Sequence, residues 1–483
     1  MLSSLIFYPI VAAVAILILP RRFERQIKWV ALLTTLIVLL KSIVLLRGFD
    51  QTQIGFQFVE KSLWIAPINV FYFLGVDGIS IALVFLTALL GFIACLASWG
   101  ITKNIKEYFI LYLILMTGMM GTFLALDLFL FYIFWELVLI PMYFLIGIWG
   151  GPRKEYAAGK FFLYTLAGSV LMLLGILTVY FKNPIHTFNM VEIARTAPFF
   201  DLNTQILLFL SFFIAFAIKV PIFPFHTWLP DAHVEAPTPI SVLLAGVLLK
   251  MGGYGLFRIC VPMFPKALSY FAYSIAVLGM INIVYGAFVA MAQTDFKKMI
   301  AYSSVSHMGF VLLGLASLNV VGFNGSLLEM FNHGIITGAM FLLVGVLYDR
   351  AHTRDLSRFG GLSANMPVYA FFLTVSALAS LGLPGLSGFV GEFMSLFGAF
   401  GSMPKLVILS TLGLVVTALY FLIMVKKVLL GPVNSSGVQY GDMTIREIIT
   451  VVPLVLITVI VGVCPLIVIK FQDIAIHALV RIF

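Results

Sequence analysis

Six ionisable side chains sit in stretches where a lipid-facing helix should carry none. They are Glu136 in LFLFYIFWELVLIPMYFL, Lys219 in FFIAFAIKVPIFPF, Lys250 in PISVLLAGVLLKMGGYGLF, His307 after AYSSVS, His333 in EMFNHGIITGAMF and Glu392 in GFVGEFMSLF. At the centre of a bilayer each charged group costs about 3 kcal/mol unless it meets a partner or a polar cavity. Carboxylate, ammonium and imidazole groups in such places share one chemistry, the uptake and release of protons. The set reads as a relay: Glu136 modulates Lys219, Lys250 is a second carrier, the histidines connect, and Glu392 is the last acceptor. Five of the six also have a plain structural reading. Glu136 would be half of a buried ion pair, Lys219 a lysine reaching out from a kink, each histidine a satisfied core residue, and Glu392 the partner of Lys426 or Lys427.

Local sequence sharpens three of these positions. Lys219 precedes Pro221 and Pro224, whose rings collide with the carbonyls of Ala217 and Val220 and cannot donate an amide. Irregular backbone at membrane depth survives only where protein or water satisfies it, so the break predicts a hydrated cavity at Lys219. Lys250 is flanked by Gly246 and Gly253 on one helix face, which leaves room for close packing or water. Ser303 lies one turn before His307.

The elements that must hold these groups are membrane helices. Of 483 residues, 62% are hydrophobic and 10% charged, where a soluble domain has roughly a quarter charged. Fourteen apolar runs approach the spanning length of about 20 residues; the third is placed at 74–99, the seventh at 205–225, the unusually long twelfth at 366–402 and the last at 449–470. The fold class expected is an all-α polytopic membrane protein. The seventh span breaks at AIKVPIFPF and the twelfth at LGLPGLSGFVGEF, each beside an ionisable residue, as in inverted-repeat transporters. The pieces 182–203 and 431–447 are the least apolar and read as surface loops. The N-terminus has no basic leader or small-residue cleavage site and reads as a retained first helix.

The net charge of +9 does not signal nucleic-acid binding, because lysine and arginine fall in short clusters between spans. With the N-terminus outside, the odd-to-even connections hold 17 of the 29 basic residues, which predicts both termini outside. Cys95, Cys260 and Cys464 are far apart, with no metal or cluster spacing, so no redox centre is expected. His226, Asp231, His233 and Glu235 in FHTWLPDAHVEAPTP hint at a metal, but four nearby prolines argue for a polar loop or re-entrant piece instead. TDFKKM at 294–299 reads as a helix start capped by Thr294 or Asp295.

AIKVPIFPFHTWLPDAHVEAPTPISVLLAGVLLKMGGYG, QTDFKKMIAYSSVSHMGF and LGLPGLSGFVGEF together resemble the antiporter-like subunits of proton-pumping NADH:quinone oxidoreductase, respiratory complex I, over all fourteen spans. Within that family the glutamate at 392, where subunits L and N generally have lysine, sets the chain apart from those two, and subunit L also has a long lateral C-terminal helix that this sequence lacks. The resemblance implies two inverted five-helix repeats, 108–260 (helices 4–8) and 261–430 (helices 9–13), after N-terminal helices in 1–107 and before a loop and last helix in 431–483. It implies a Glu–Lys pair matched by Glu136 and Lys219, a central lysine matched by Lys250, histidines matched by His307 and His333, and a terminal charge matched by Glu392. It also implies neighbouring subunits L and N as partners, a bacterial inner membrane with periplasmic termini, and FMN, iron–sulfur clusters and quinone held by other subunits. A subunit of a multisubunit cation/proton antiporter or membrane-bound hydrogenase is the related alternative, and a stand-alone antiporter or a structural scaffold are the distant ones.

Overall fold

The computed structural model describes residues 1–432 and 440–483, so residues 433–439 of the expected loop 431–447 lie outside the described residues. The chain is a bundle of membrane-length helices, as apolar sequence in lipid requires, since a helix satisfies its own backbone groups. In chain order the spans are α1 (Leu2–Ile18), α2 (Glu24–Gly48), α3 (Ile81–Gly100), α4 (Ile105–Leu124), α5 (Leu128–Trp149), α6 (Lys154–Lys182), and α7 in two parts, α7a (Leu202–Lys219) and α7b (Trp228–Glu235). Next come α8 (Thr238–Met263), α9 (Pro265–Met291), α10 (Phe296–Ala316), α11 (Val320–Ala351), a divided α12 of α12a (Pro367–Ser380) and α12b (Ser387–Phe400), α13 (Pro404–Leu429) and α14 (Ile445–Val463). Among the described residues, twelve helices are long and apolar enough to cross a membrane; α1 and α12a are shorter apolar helices that bring the number to fourteen, and both expected interruptions are present.

Burial separates an axis from a rim. The spanning windows of α8 and α11 are 100% buried, whereas those of α2 and α6 are 39% buried and show residues such as Leu40, Val44, Leu163 and Phe181 to the outside. Three of the six singled-out residues, Lys250, His307 and His333, lie on α8, α10 and α11, the most enclosed helices. Small residues set the axis: a Cβ on Gly334 of α11 would lie 2.9 Å from the Gly246 carbonyl of α8, so only glycine allows this backbone approach.

Side chains fix where helices begin. The Asp127 carboxylate accepts the backbone N–H groups of Phe129 and Leu130 and caps α5, and Asp295 accepts that of Lys298 and caps α10. Asp295 is one of the two caps expected there. Thr444 and Glu447 form a reciprocal capping box at α14.

The structure departs from expectation in four places. The third span begins at Ile81 and not at 74, because Val70–Val76 is a strand paired antiparallel with Gln57–Ile65, Ser62 opposite Tyr72. The turn residue Asn69, in the left-handed region, separates these strands. Residues 182–203 are not simply a loop, since Met190–Thr196 is helical and capped by Asn189. The last span stops at Val463, where Pro465 ends the ladder, and a separate helix, α15 (Leu466–Val480), follows. Residues 228–235 are helical despite Pro230, because that proline is third in α7b, where its missing N–H has no intrahelical acceptor to lose.

Candidate functional site

Glu136 lies half-buried on α5, two residues before the helical ladder is interrupted at Val138. Pro141 is the local cause, since its ring collides with the carbonyl of Leu137. Glu136 and Lys219 are within electrostatic reach but do not form an ion pair at 4 Å, and one Glu136 oxygen has no hydrogen-bond partner. The neighbouring Trp135 donates its indole N–H to Ser169 of α6 at 3.1 Å. Its ring lies 5.1 Å from the Lys219 ammonium, and the Phe161 ring lies 5.6 Å away, so two aromatic faces hold this cation.

Lys219 ends α7a and is only 2% exposed. The freed backbone beside it is met by protein. Ile222 donates to the Ala217 carbonyl at 2.8 Å, and the Trp228 indole donates to the Ile218 carbonyl at 2.8 Å. Asn282, buried on α9, accepts from the Phe223 N–H at 2.8 Å and donates to the Pro221 carbonyl at 3.1 Å. One amide thus stitches both sides of the break, which is the sealing that irregular membrane-depth backbone demands.

Lys250 sits between two π-helical stretches of α8, Leu244–Leu248 and Leu256–Cys260. Such stretches loosen the i to i−4 ladder, and the Lys250 ammonium donates to the Ala245 carbonyl at 2.6 Å, five residues back. The same ammonium is 2.6 Å from His333 Nδ1 on α11. Gly246 and Gly253 serve packing: a Cβ at Gly246 would lie 2.3 Å from Leu90, and one at Gly253 2.2 Å from Met330.

From His333 the row continues without a break in contact. The His333 and His307 rings are 5.6 Å apart, and His307 Nδ1 is 2.9 Å from a carboxylate oxygen of Glu392. Glu392 therefore pairs with a histidine and not with Lys426 or Lys427. Ser303 gives its hydroxyl to the Ile300 carbonyl of its own helix and does not orient His307. Glu392 lies in the second turn of α12b, past the Leu381–Leu386 break, where Gly382 and Gly385 adopt positive φ and residues 383–385 are exposed on the bundle's flank. A Cβ on Gly382 would lie 2.8 Å from the other Glu392 oxygen, so glycine leaves that carboxylate its space.

Three groups escaped the sequence reading. Glu329, four residues before His333 on α11, is buried with one oxygen 4.0 Å from His307 Nδ1 and the other without a partner. Its i, i+4 spacing from His333 was the available signal. Lys297, in the helix start TDFKKM, is buried and donates to the Ala236 carbonyl. It lines a cavity of about 320 Å³ with Glu235, Asp349, Arg354, Arg446 and Glu447, a charged vestibule at one end of the axis. His233, assigned to a polar loop, stacks on Phe341 at 4.6 Å inside α7b with neither ring nitrogen hydrogen-bonded. The four residues of the metal hint do not converge: Asp231 pairs with Lys160 at 2.7 Å, and Glu235 lies 3.7 Å from Arg153.

Two divided helices around a buried row of ionisable groups define a polytopic antiporter-like membrane chain. The family model described as "NADH:quinone oxidoreductase/Mrp antiporter, TM" matches residues 125–419, and the chain belongs to this family. Among curated relatives, NADH-quinone oxidoreductase subunit M of Rhodobacter capsulatus is 46% identical over 479 residues, covering 96% of this chain and 93% of the relative. Subunit M of Rickettsia bellii is 43% identical over 471 residues, covering 96% and 95%. Among solved structures, a chain of respiratory complex I from Thermus thermophilus with bound NADH superposes with a TM-score of 0.90 at 30% identity, covering 99% of this chain and 100% of that one. A chain of the Mrp complex from Dietzia sp. has a TM-score of 0.87 at 20% identity over 99% and 97%, a likeness of fold alone.

Proposed function

We propose that this chain is a proton-translocating subunit of NADH:quinone oxidoreductase, in the position that its relatives' name, subunit M, describes. The observation that carries the reading is the row Lys250, His333, His307, Glu392, held in polar or ring contact, its first three members on the most buried helices. A scaffold would have no use for so many membrane-depth charges.

The relay we infer runs from Glu136 to Glu392. While Glu136 is near, it favours the charged form of Lys219. When the two draw apart, Lys219 gives up its proton towards Lys250, which passes it through His333 and His307 to Glu392. The separated arrangement, with Lys219 over Trp135 and Phe161, corresponds to the releasing half of that switch. The energy for separation comes from quinone-coupled charge shifts in adjoining subunits, which we take to be L and N. The two divided helices fit inverted repeats over residues 108–260 and 261–430, in a bacterial inner membrane with both termini periplasmic. NADH oxidation, FMN, iron–sulfur clusters and quinone belong to other subunits.

Reconstituted pumping is the test. In the assembled complex, Glu136→Ala and Lys219→Ala are expected to abolish most quinone-coupled proton uptake, and wild-type pumping in both would refute the relay.

A further inference from the structure

His307 faces two carboxylates, and the relay as built from the sequence uses one. Glu392 on α12b is 2.9 Å from His307 Nδ1, and Glu329 on α11 is 4.0 Å from the same nitrogen. Glu329 is 2% exposed, and its Oε2 has no hydrogen-bond partner. The packing shields that oxygen closely, since a Cβ on Gly391 would lie 2.6 Å from it. The remaining titratable groups facing this pocket are Lys250 of α8, which touches His333, His333 itself on α11, and the buried Tyr420 of α13, within electrostatic reach of Glu392. No cation lies within 4 Å of Glu329 other than His307, among the described residues.

A buried carboxylate oxygen with no donor is far costlier charged than as a neutral acid, and two carboxylates sharing a buried site cannot both stay ionised cheaply. Of the two, Glu392 holds the direct histidine contact, so the negative charge rests there. We propose that Glu329, and not Glu392, is the group that stores the transferable proton at the end of the row, with Glu392 serving as the fixed counter-ion of His307. This deepens the relay reading and rests on it for its role in pumping.

The proton count closes. With His307 as imidazolium, Glu392 ionised and Glu329 protonated, the trio is neutral. Loss of the Glu329 proton leaves it at −1. His307 then hands its proton to Glu329 and is reprotonated through His333, whose Nε2 is buried and free of hydrogen bonds. Only protons move, and the trio returns to neutrality.

The test is infrared difference spectroscopy on the purified complex, comparing wild type with Glu329→Gln and Glu392→Gln in H2O and D2O. The expected result is a deuterium-sensitive carboxylic-acid C=O absorption that is lost in E329Q and kept in E392Q, with several-fold lower quinone-coupled pumping in E329Q that Glu329→Asp partly restores. An absorption kept in E329Q and lost in E392Q would put the proton on Glu392 and overturn the proposal. So would the absence of any such band, or its displacement by added Na⁺, which would make the trio a cation site. Should the band vanish in E329Q while Lys250→Ala pumps normally, the relay fails and the assignment of the proton to Glu329 stands.

Discussion

Between Glu136 and Lys250 the ionisable groups are held apart by aromatic rings and helix backbone, whereas from Lys250 to Glu392 each group is in reach of the next. Lys219 rests over Trp135 and Phe161 and, among the described residues, has no carboxylate within 4 Å. Lys250 is 2.6 Å from His333, and His307 is 2.9 Å from Glu392. The two helix breaks differ in the same sense. The break in α7 is stitched from inside by Asn282 and Trp228, while that in α12 shows residues 383–385 on the flank. A contact row can equilibrate its protons quickly, whereas a gap between carriers can be gated. In the proposed relay, control lies in the first half and conduction in the second.

The largest effect belongs to the junction of the halves. Lys250→Arg keeps the charge, but guanidinium does not release its proton, so quinone-coupled pumping is expected to fall as far as in Lys250→Ala, read by acidification of reconstituted vesicles. Next is Gly334→Ala: its methyl would meet the Gly246 backbone carbonyl at 2.9 Å and force α11 and α8 apart. Pumping should drop about tenfold or more, as misplacement of reacting groups by about an ångström does elsewhere, while Gly401→Ala, whose Cβ would meet nothing within 4 Å, leaves it unchanged. Asn282→Leu removes both bonds that seal the α7 break and is expected to cost about 1–3 kcal/mol for each backbone group left unpaired, seen as a lower thermal midpoint of the complex. The smallest is Asp127→Ala, which removes the α5 cap at about 1 kcal/mol and should lower stability with pumping per assembled complex retained.

Much of the axis was legible in the residues. Charges in apolar runs stand out because lipid excludes them, and the paired prolines and Pro384–Gly385 announce breaks whatever the neighbours do. What could not be read was anything set by packing between distant helices. The sealing of the α7 break depends on Asn282, some sixty residues away, which the prolines alone could not reveal. Glu329 was passed over because its meaning comes from His307 and Gly391, which only folding brings beside it. His233 looked like a loop residue because four prolines crowd its stretch, and only the position of Pro230 in the first turn lets α7b form. The hairpin at 57–76 was hidden because its second strand is as apolar as the helix after it.

The claim that protons cross through Lys250 and the contact row after it is tested most directly by the NADH- and quinone-dependent proton uptake of vesicles carrying the complex with Lys250→Arg. The account predicts that uptake collapses although the complex assembles with its charge count unchanged. Uptake at the wild-type rate would contradict it.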